Sequence, residues 1–398
     1  MPAAERGDLL GECDLIMSFL CYNDISAMSR LHRSASAQMS RPAITIRNEG
    51  GWTFGSPSVL MMFHRQPGQL DKELAEMDEC MPHYYRITNG HGQGAEKIMA
   101  AEAAFLQGRF DDAHIALEQA YAQIQGNGQM NMALCCDFLA WRLTPYTGAA
   151  PRYTFQQRRG VLMQHHNTDW LHILDATCAY YHALLGQPEK IPAVFREHQL
   201  SSINYLAPGK PMMEMIENQV YLAQGAYAKV IGRSEGLLAM CQAMHYALVA
   251  LHIRIQTAAA YEMLGKHDEY RALLAQALSD AAPDGFLLPF AENYRYLSPL
   301  LHQDTTDLAP QIIALGEAAE ARLRQTARPE ALAALTEREH EIVELMTQRL
   351  SNREIAEKLF LTEGSVKQYV KQIYSKLHIE GDTRTKRRQL SELLETKT

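Results

Sequence analysis

Between Thr362 and Leu377 the chain sorts two kinds of side chain onto opposite sides of a helix. Val366, Val370, Ile373 and Leu377 recur at spacings of four, three and four, which makes one narrow apolar stripe. The other face carries Ser365, Lys367, Gln368, Lys371, Gln372 and Ser375. Ammonium, amide and hydroxyl groups on a rod of this width suit a DNA groove, where cations meet phosphate and hydrogen-bonding groups meet base edges. Charge is concentrated at the same place. From 365 to 388 seven Lys or Arg residues stand against two acids, whereas 335 to 364 holds four bases and seven acids. The whole chain of 398 residues is acidic, with formal net charge −8. A general nucleic-acid coat would be basic throughout. Confined positive charge suits a defined docking face on a protein that otherwise repels phosphate.

Short capped helices must position that face. Thr336-Glu337-Arg338-Glu339 is a capping box that opens a helix with Ile342, Val343, Leu345 and Met346 inward. Ser351-Asn352-Arg353-Glu354 repeats the device and starts a short helix with Ile355, Ala356 and Leu359 inward. Phe360-Leu361 makes a brief turn, and Thr362 is the next N-cap, with Glu363 in the first turn where the helix dipole favours it. A last helix follows Asp382-Thr383, with Leu390, Leu393 and Leu394 on one side.

These residues resemble the LuxR-type helix-turn-helix domain of bacterial transcription regulators. The matching positions are Leu335-Thr336-x-Arg338-Glu339, Leu350-Ser351-Asn352-x-Glu354-Ile355-Ala356, Ser365-Val366-Lys367 and Lys376-Leu377. Three departures leave every cap and core position in place. Arg349 stands where the family usually has glycine, Thr362 and Ser365 exchange hydroxyl types, and Tyr369 replaces a histidine with a longer phenol that is never cationic. The resemblance implies a four-helix module over 333–398 whose third helix enters the major groove of double-stranded DNA. Ser365, Lys367, Gln368 and Lys371 would then face bases, since Lys pairs with guanine O6/N7 and Gln with adenine. Asn352, Arg353, Thr362, Tyr369, Lys376 and Arg384 would touch phosphate. Leu390, Leu393 and Leu394 would form the contact of a homodimer on DNA.

The rest of the chain reads as helical and repetitive. Glycines at 108, 148, 186, 225 and 265 recur every 38 to 40 residues, followed in the clearer copies by an aromatic residue, then small and apolar residues. This spacing resembles tetratricopeptide-type helix hairpins with longer links, in which glycine permits the turn and stacked pairs bury a shared core. The expected fold is therefore all-α: a helical-repeat, TPR-like superhelix followed by the helix-turn-helix module. Expected boundaries are an N-terminal helical segment at 1–95, repeats at 96–305, a linker or hinge at 306–332 and the DNA-binding module at 333–398.

Other chemistry finds little support. Gly55-Ser56-Pro57-Ser58 lacks the second glycine of a nucleophile elbow. Gly90-x-Gly92-x-Gly94 lacks the Lys-Ser/Thr of a phosphate loop, and both stretches read as connections. His165-His166 has no ligand partners at useful spacing, and the seven cysteines form no C-x-x-C pair, so no metal site is expected and the thiols read as reduced. No apolar run reaches the length of a membrane span, and Met1 to Arg6 lacks the features of a signal peptide, so a cytoplasmic protein is expected. No catalytic spacing survives inspection, and no cofactor is expected.

Superhelix plus LuxR-type end is similar to large MalT-like regulators, in which an ATP-binding module precedes the sensor. No Gly-x-x-x-x-Gly-Lys-Ser/Thr occurs here. The chain is then either a short relative that works without ATP or a piece of a longer one. The expected function is a transcription regulator, more often an activator in this family. A small-molecule inducer or a regulatory protein would settle on the concave face, near Tyr180, Tyr181, Tyr221 and Tyr227, and RNA polymerase is a further expected partner. A TPR-like interaction scaffold with an accessory DNA module is the alternative.

Overall fold

The structure is a computed structural model that describes residues 1–47, 51–124, 128–165, 168–203, 206–304, 306–327, 335–348, 350–379, 381–382, 385–386 and 388–390. The described residues are helical, with no strand among them. They fall into two compact units, Met1–Ala319 and Glu320–Thr398.

The first unit opens with α1 (Ala3–Leu20), α2 (Ile25–Gln38), the single buried turn α3 (Val59–Phe63) and α4 (Leu70–Thr88). Helices α1 and α2 pack together, and α2 packs on α4. Five helix pairs follow: α5 (Ala95–Leu106) with α6 (Phe110–Ile124), α7 (Met130–Thr147) with α8 (Phe155–Gln164), α9 (Leu171–Leu184) with α10 (Ala193–Arg196), α11 (Lys210–Ala223) with α12 (Tyr227–Met244), and α13 (Ala247–Met263) with α14 (His267–Ala281).

The five repeating glycines each follow the first helix of a pair, and all five are left-handed, with φ between +67° and +77°. At Gly108 this lets the Arg109 amide reach back to the Ala104 carbonyl at 2.8 Å, the six-to-one bond that closes a helix C-terminus. The same bond recurs from Gln187 to His182, Ala226 to Tyr221 and Lys266 to Tyr261. The sequence period is therefore a period of helix ends. The copy at Gly186 reads weakly because its second helix is only four residues long.

First helices stack in order, α5 on α7, α7 on α9, α9 on α11 and α11 on α13. Small residues make this approach close: Ala101, Ala103, Ala176, Ala179, Ala258, Ala259 and Ala260 are fully buried. The two ends of the row are bridged. Helix α3 and the next short helix, α15 (Leu288–Ala291), each pack against both α5 and α13. Backbone bonds fix the closure, from Leu287 N–H to Leu106 at 2.7 Å and from Ala247 N–H to His64 at 3.1 Å. The Asp284 carboxylate accepts from the amides of Gly68 and Leu70.

The inner side of the row is therefore filled by the chain itself, which corrects the expectation of an open concave face. Arg142 on α7 donates to Glu292 at 2.7 and 3.0 Å, and Tyr180 on α9 donates to Glu292 at 3.0 Å. Gln219 on α11 donates to Asn293 at 2.9 Å and receives a bond from Gln256 on α13. Helix α16 (Tyr294–Leu301) then packs on α13, and its Leu297 carbonyl accepts from Tyr270. Burial of Arg142 and Glu292 is tolerable only because each satisfies the other and Tyr180 adds a third bond.

Residues expected as a linker hold α17 (Ala309–Ala327), a 19-residue helix. Its first turns belong to the first unit, with Ala309 and Ile312 fully buried, and the division between units falls within it.

Candidate nucleic-acid interface

The second unit contains α18 (Glu337–Thr347), α19 (Asn352–Leu359) and α20 (Glu363–Lys376), and residues 385–386 and 388–390 are also helical. All three expected caps are formed. Thr336 Oγ1 accepts from the Glu339 amide, while Glu339 accepts from the Thr336 amide at 2.7 Å. Ser351 and Glu354 exchange the same pair of bonds. Thr362 Oγ1 accepts from the Ser365 amide at 3.1 Å. Satisfied caps fix where each helix begins, and hence which residues of α20 point outward.

A small separate core seats α20. Ile342, Val343 and Met346 from α18, Ile355 and Ala356 from α19, and Val366, Ile373 and Tyr374 from α20 are buried together. Val370 and Leu377 pack at its edge. The expected stripe is thus the buried stripe, with Tyr374 added. Phe360 turns the chain in the left-handed region at φ +55° and stands 96% exposed.

The opposite face of α20 is open. Lys367, Gln368, Lys371 and Gln372 are exposed, and Ser365 is half-buried. Lys371 and Gln368 have no hydrogen-bond or ion-pair partner among the described residues. Lys367 differs, since its ammonium lies 2.8 Å from Glu363 one turn earlier and holds that carboxyl below the usual range. Asn352 and Thr362 lie at the starts of α19 and α20, where free N–H groups suit phosphate. Arg353, also at the start of α19, pairs with Glu357 at 3.1 Å on the surface. Tyr369 is half-buried against the core.

Two expected roles are corrected. Lys376 was expected to reach phosphate, but its ammonium sits 2.6 Å from Glu339, whose side chain is buried. Burial works against that charge, but the bonds from Lys376 and Thr336 outweigh it and hold Glu339 below the usual carboxylate range. The pair locks α20 onto α18. Leu390 was expected in a dimer contact but is 2% exposed within the small core. Leu393, Leu394 and Arg384 lie outside the described residues. Sequence reasoning missed Arg338 as a tie between helices. It donates to the Leu359 carbonyl at 2.7 Å and so sets the end of α19 against the start of α18.

The tyrosines expected around an effector do not form one exposed patch. Tyr180 is fully buried and committed to Glu292, which corrects its placement on an open face. Tyr181 is half-buried against Trp141, Tyr221 stacks on His198 at 3.8 Å, and Tyr227 is half-buried at the start of α12.

Residues 333–387 match the family described as bacterial regulatory proteins, luxR family. The C-terminal module is a LuxR-family helix-turn-helix domain. A relative with the printed name transcriptional regulatory protein LnrK, from Bacillus subtilis (strain 168), is 36% identical over 120 residues, which cover 28% of this chain and 54% of that protein. The chain thus spans about half the length of this curated relative. No solved structure matches it.

Proposed function

We propose that this chain is a bacterial transcription regulator whose α20 reads the major groove, and whose first unit controls that reading. The observation that carries the proposal is the open face of α20. In a domain of the LuxR family, Gln368 beside Lys367 and Lys371 one turn on stand exposed with no partner among the described residues. A cation and an amide left free in this way keep their hydrogen-bonding capacity for a base edge. Ser365 completes the base-facing set. Asn352, Arg353 and Thr362 set the register on phosphate, helped by the dipoles of α19 and α20.

One domain of this size contacts too little DNA for high specificity. Two chains on two half-sites multiply the affinity without any new kind of contact, and a homodimer on DNA is the arrangement we propose. Activation through RNA polymerase and control by an effector belong to the same reading. The first unit supplies the size and the internal cavities for a sensor. Its response requires that an effector bind one arrangement of the chain better than another.

Selection of binding sequences from random duplex by the full chain, followed by anisotropy titration at several salt concentrations, tests the reading. A recovered motif and a linear fall of log affinity with log salt support it. Equal binding to motif and scrambled duplex refutes it.

A further inference from the structure

Two stretches of the first unit break the helical texture of the sequence, Gly51 to Ser58 and Asn89 to Gly94. The fold brings them together. They meet beside α3 and α4 and form the wall of a cavity of about 440 Å³, within the range of small-molecule sites. Trp52 and Phe54 come from the first stretch and His91 from the second, while Phe63 and Tyr84 form the floor. Trp52 and Phe63 lie with ring centroids 5.2 Å apart, and the Tyr84 hydroxyl is 2.7 Å from His91 Nδ1. Gly92 permits this arrangement. A Cβ there would lie 2.3 Å from the Trp52 indole, and Gln129 holds the Gly92 backbone from behind.

The chemistry of this lining is uneven in a useful way. Most of it is aromatic or aliphatic, and among the described residues the one permanently charged side chain is Arg47 at the mouth. Arg47 is exposed and has no hydrogen-bond or ion-pair partner among the described residues. His32, packed against Tyr84 beneath the floor, adds no charge, since burial drops its pKa to about 4. The larger cleft of about 790 Å³ beside α12 and α13 is built differently, because its Arg254 and Asp280 already neutralise each other at 2.8 Å.

We infer that the cavity between Trp52, Phe54, Phe63, Tyr84 and Arg47 is a binding site for a flat aromatic molecule that carries one anionic group. Ring faces stack in the aromatic slot, and the guanidinium at the mouth pairs with the carboxylate or sulfonate in a planar fork. This inference rests on the reading of the first unit as the sensing part, and it supplies that unit with an effector class.

The test uses the full chain with benzoate, 1-naphthoate and indole-3-carboxylate, and with 1-naphthalenemethanol as the uncharged counterpart. Tryptophan fluorescence and thermal shift report binding. The expected result is saturable binding of at least one acid at one site per chain, at least tenfold tighter than the alcohol. Arg47→Gln abolishes that preference, and Thr45→Trp, which narrows the mouth from an exposed position, abolishes binding of both. Absence of binding by all three acids overturns the site, and so does binding that keeps its preference in both variants. Duplex titrations with and without the bound acid separate the two readings. Binding of the acid with unchanged DNA affinity leaves the site standing and removes its regulatory role. Intact DNA binding with an empty cavity does the reverse.

Discussion

Lys371→Ala is the sharpest perturbation of the proposed interface. The side chain stands exposed on α20 with no partner among the described residues, so its removal leaves the fold of the free protein alone. In the proposed complex it deletes a contact to a base edge, which costs about 1–3 kcal/mol, or roughly a fivefold to 150-fold loss of affinity. Lys367→Ala gives a smaller loss, because Lys367 must first leave Glu363, 2.8 Å away, whereas Lys371 leaves nothing. The same argument fixes the sign of a third variant. Glu363→Gln releases Lys367 and removes a negative charge from a helix start that approaches phosphate, so it tightens binding. Anisotropy titrations on the selected duplex and on versions altered at each base measure all three. Lys371→Ala relaxes discrimination at one base position, while Arg353→Ala weakens all duplexes evenly and lowers the salt slope by about one. Equal losses for Lys371→Ala and Lys367→Ala, together with weaker binding by Glu363→Gln, would refute the assignment of free and engaged lysines.

Three further outcomes follow from the interior. Glu292→Gln strips Arg142 of its buried counter-ion and lowers stability by roughly 3–5 kcal/mol in urea unfolding, while Arg142→Met/Glu292→Leu restores much of the loss; additive losses would show that the pair is not coupled. Burial raises Glu102 to about 7 from its ordinary 4.5, so between those values the folded state binds more proton and stability falls as pH rises. Glu102→Gln then flattens the dependence between pH 5 and 8 by up to about 3 kcal/mol relative to the parent, and parallel curves would contradict the shift. Lys376→Met leaves the buried Glu339 carboxylate without its ammonium, at a cost of about 1–3 kcal/mol once partial exposure of Lys376 is discounted, so amides of α20 exchange hydrogen faster; unchanged exchange would remove the proposed lock.

Much of the small unit was legible before the fold. Caps are local chemistry, so Thr336, Ser351 and Thr362 announced the starts of three helices within four residues of sequence each. Helical period then separated Val366 and Ile373 from Lys367, Gln368 and Lys371. Tyr374 and Leu390 escaped that logic. A phenol among polar neighbours reads as surface, and an apolar stripe on a terminal helix fits a partner as well as its own core. Lys376 misled for a related reason, since its counter-ion lies 37 residues away at Glu339.

In the large unit the glycine period fixed where helices end, because the left-handed turn is a property of one residue and its immediate neighbours. Whether the stacked pairs stay open or close was never in that period. Closure depends on contacts such as Leu287 with Leu106 and Asp284 with Gly68, which lie 181 and 216 residues apart along the chain. It also depends on Glu292 finding Arg142 and Tyr180 on two different helices. Sequence by itself determined the all-α class, the helix ends and which face of α20 stands exposed, since each rests on neighbours within a turn or two. Only the tertiary structure decided that the inner face is filled and that two apparent connections enclose a cavity, because those outcomes rest on residues that meet only after the chain has folded back on itself.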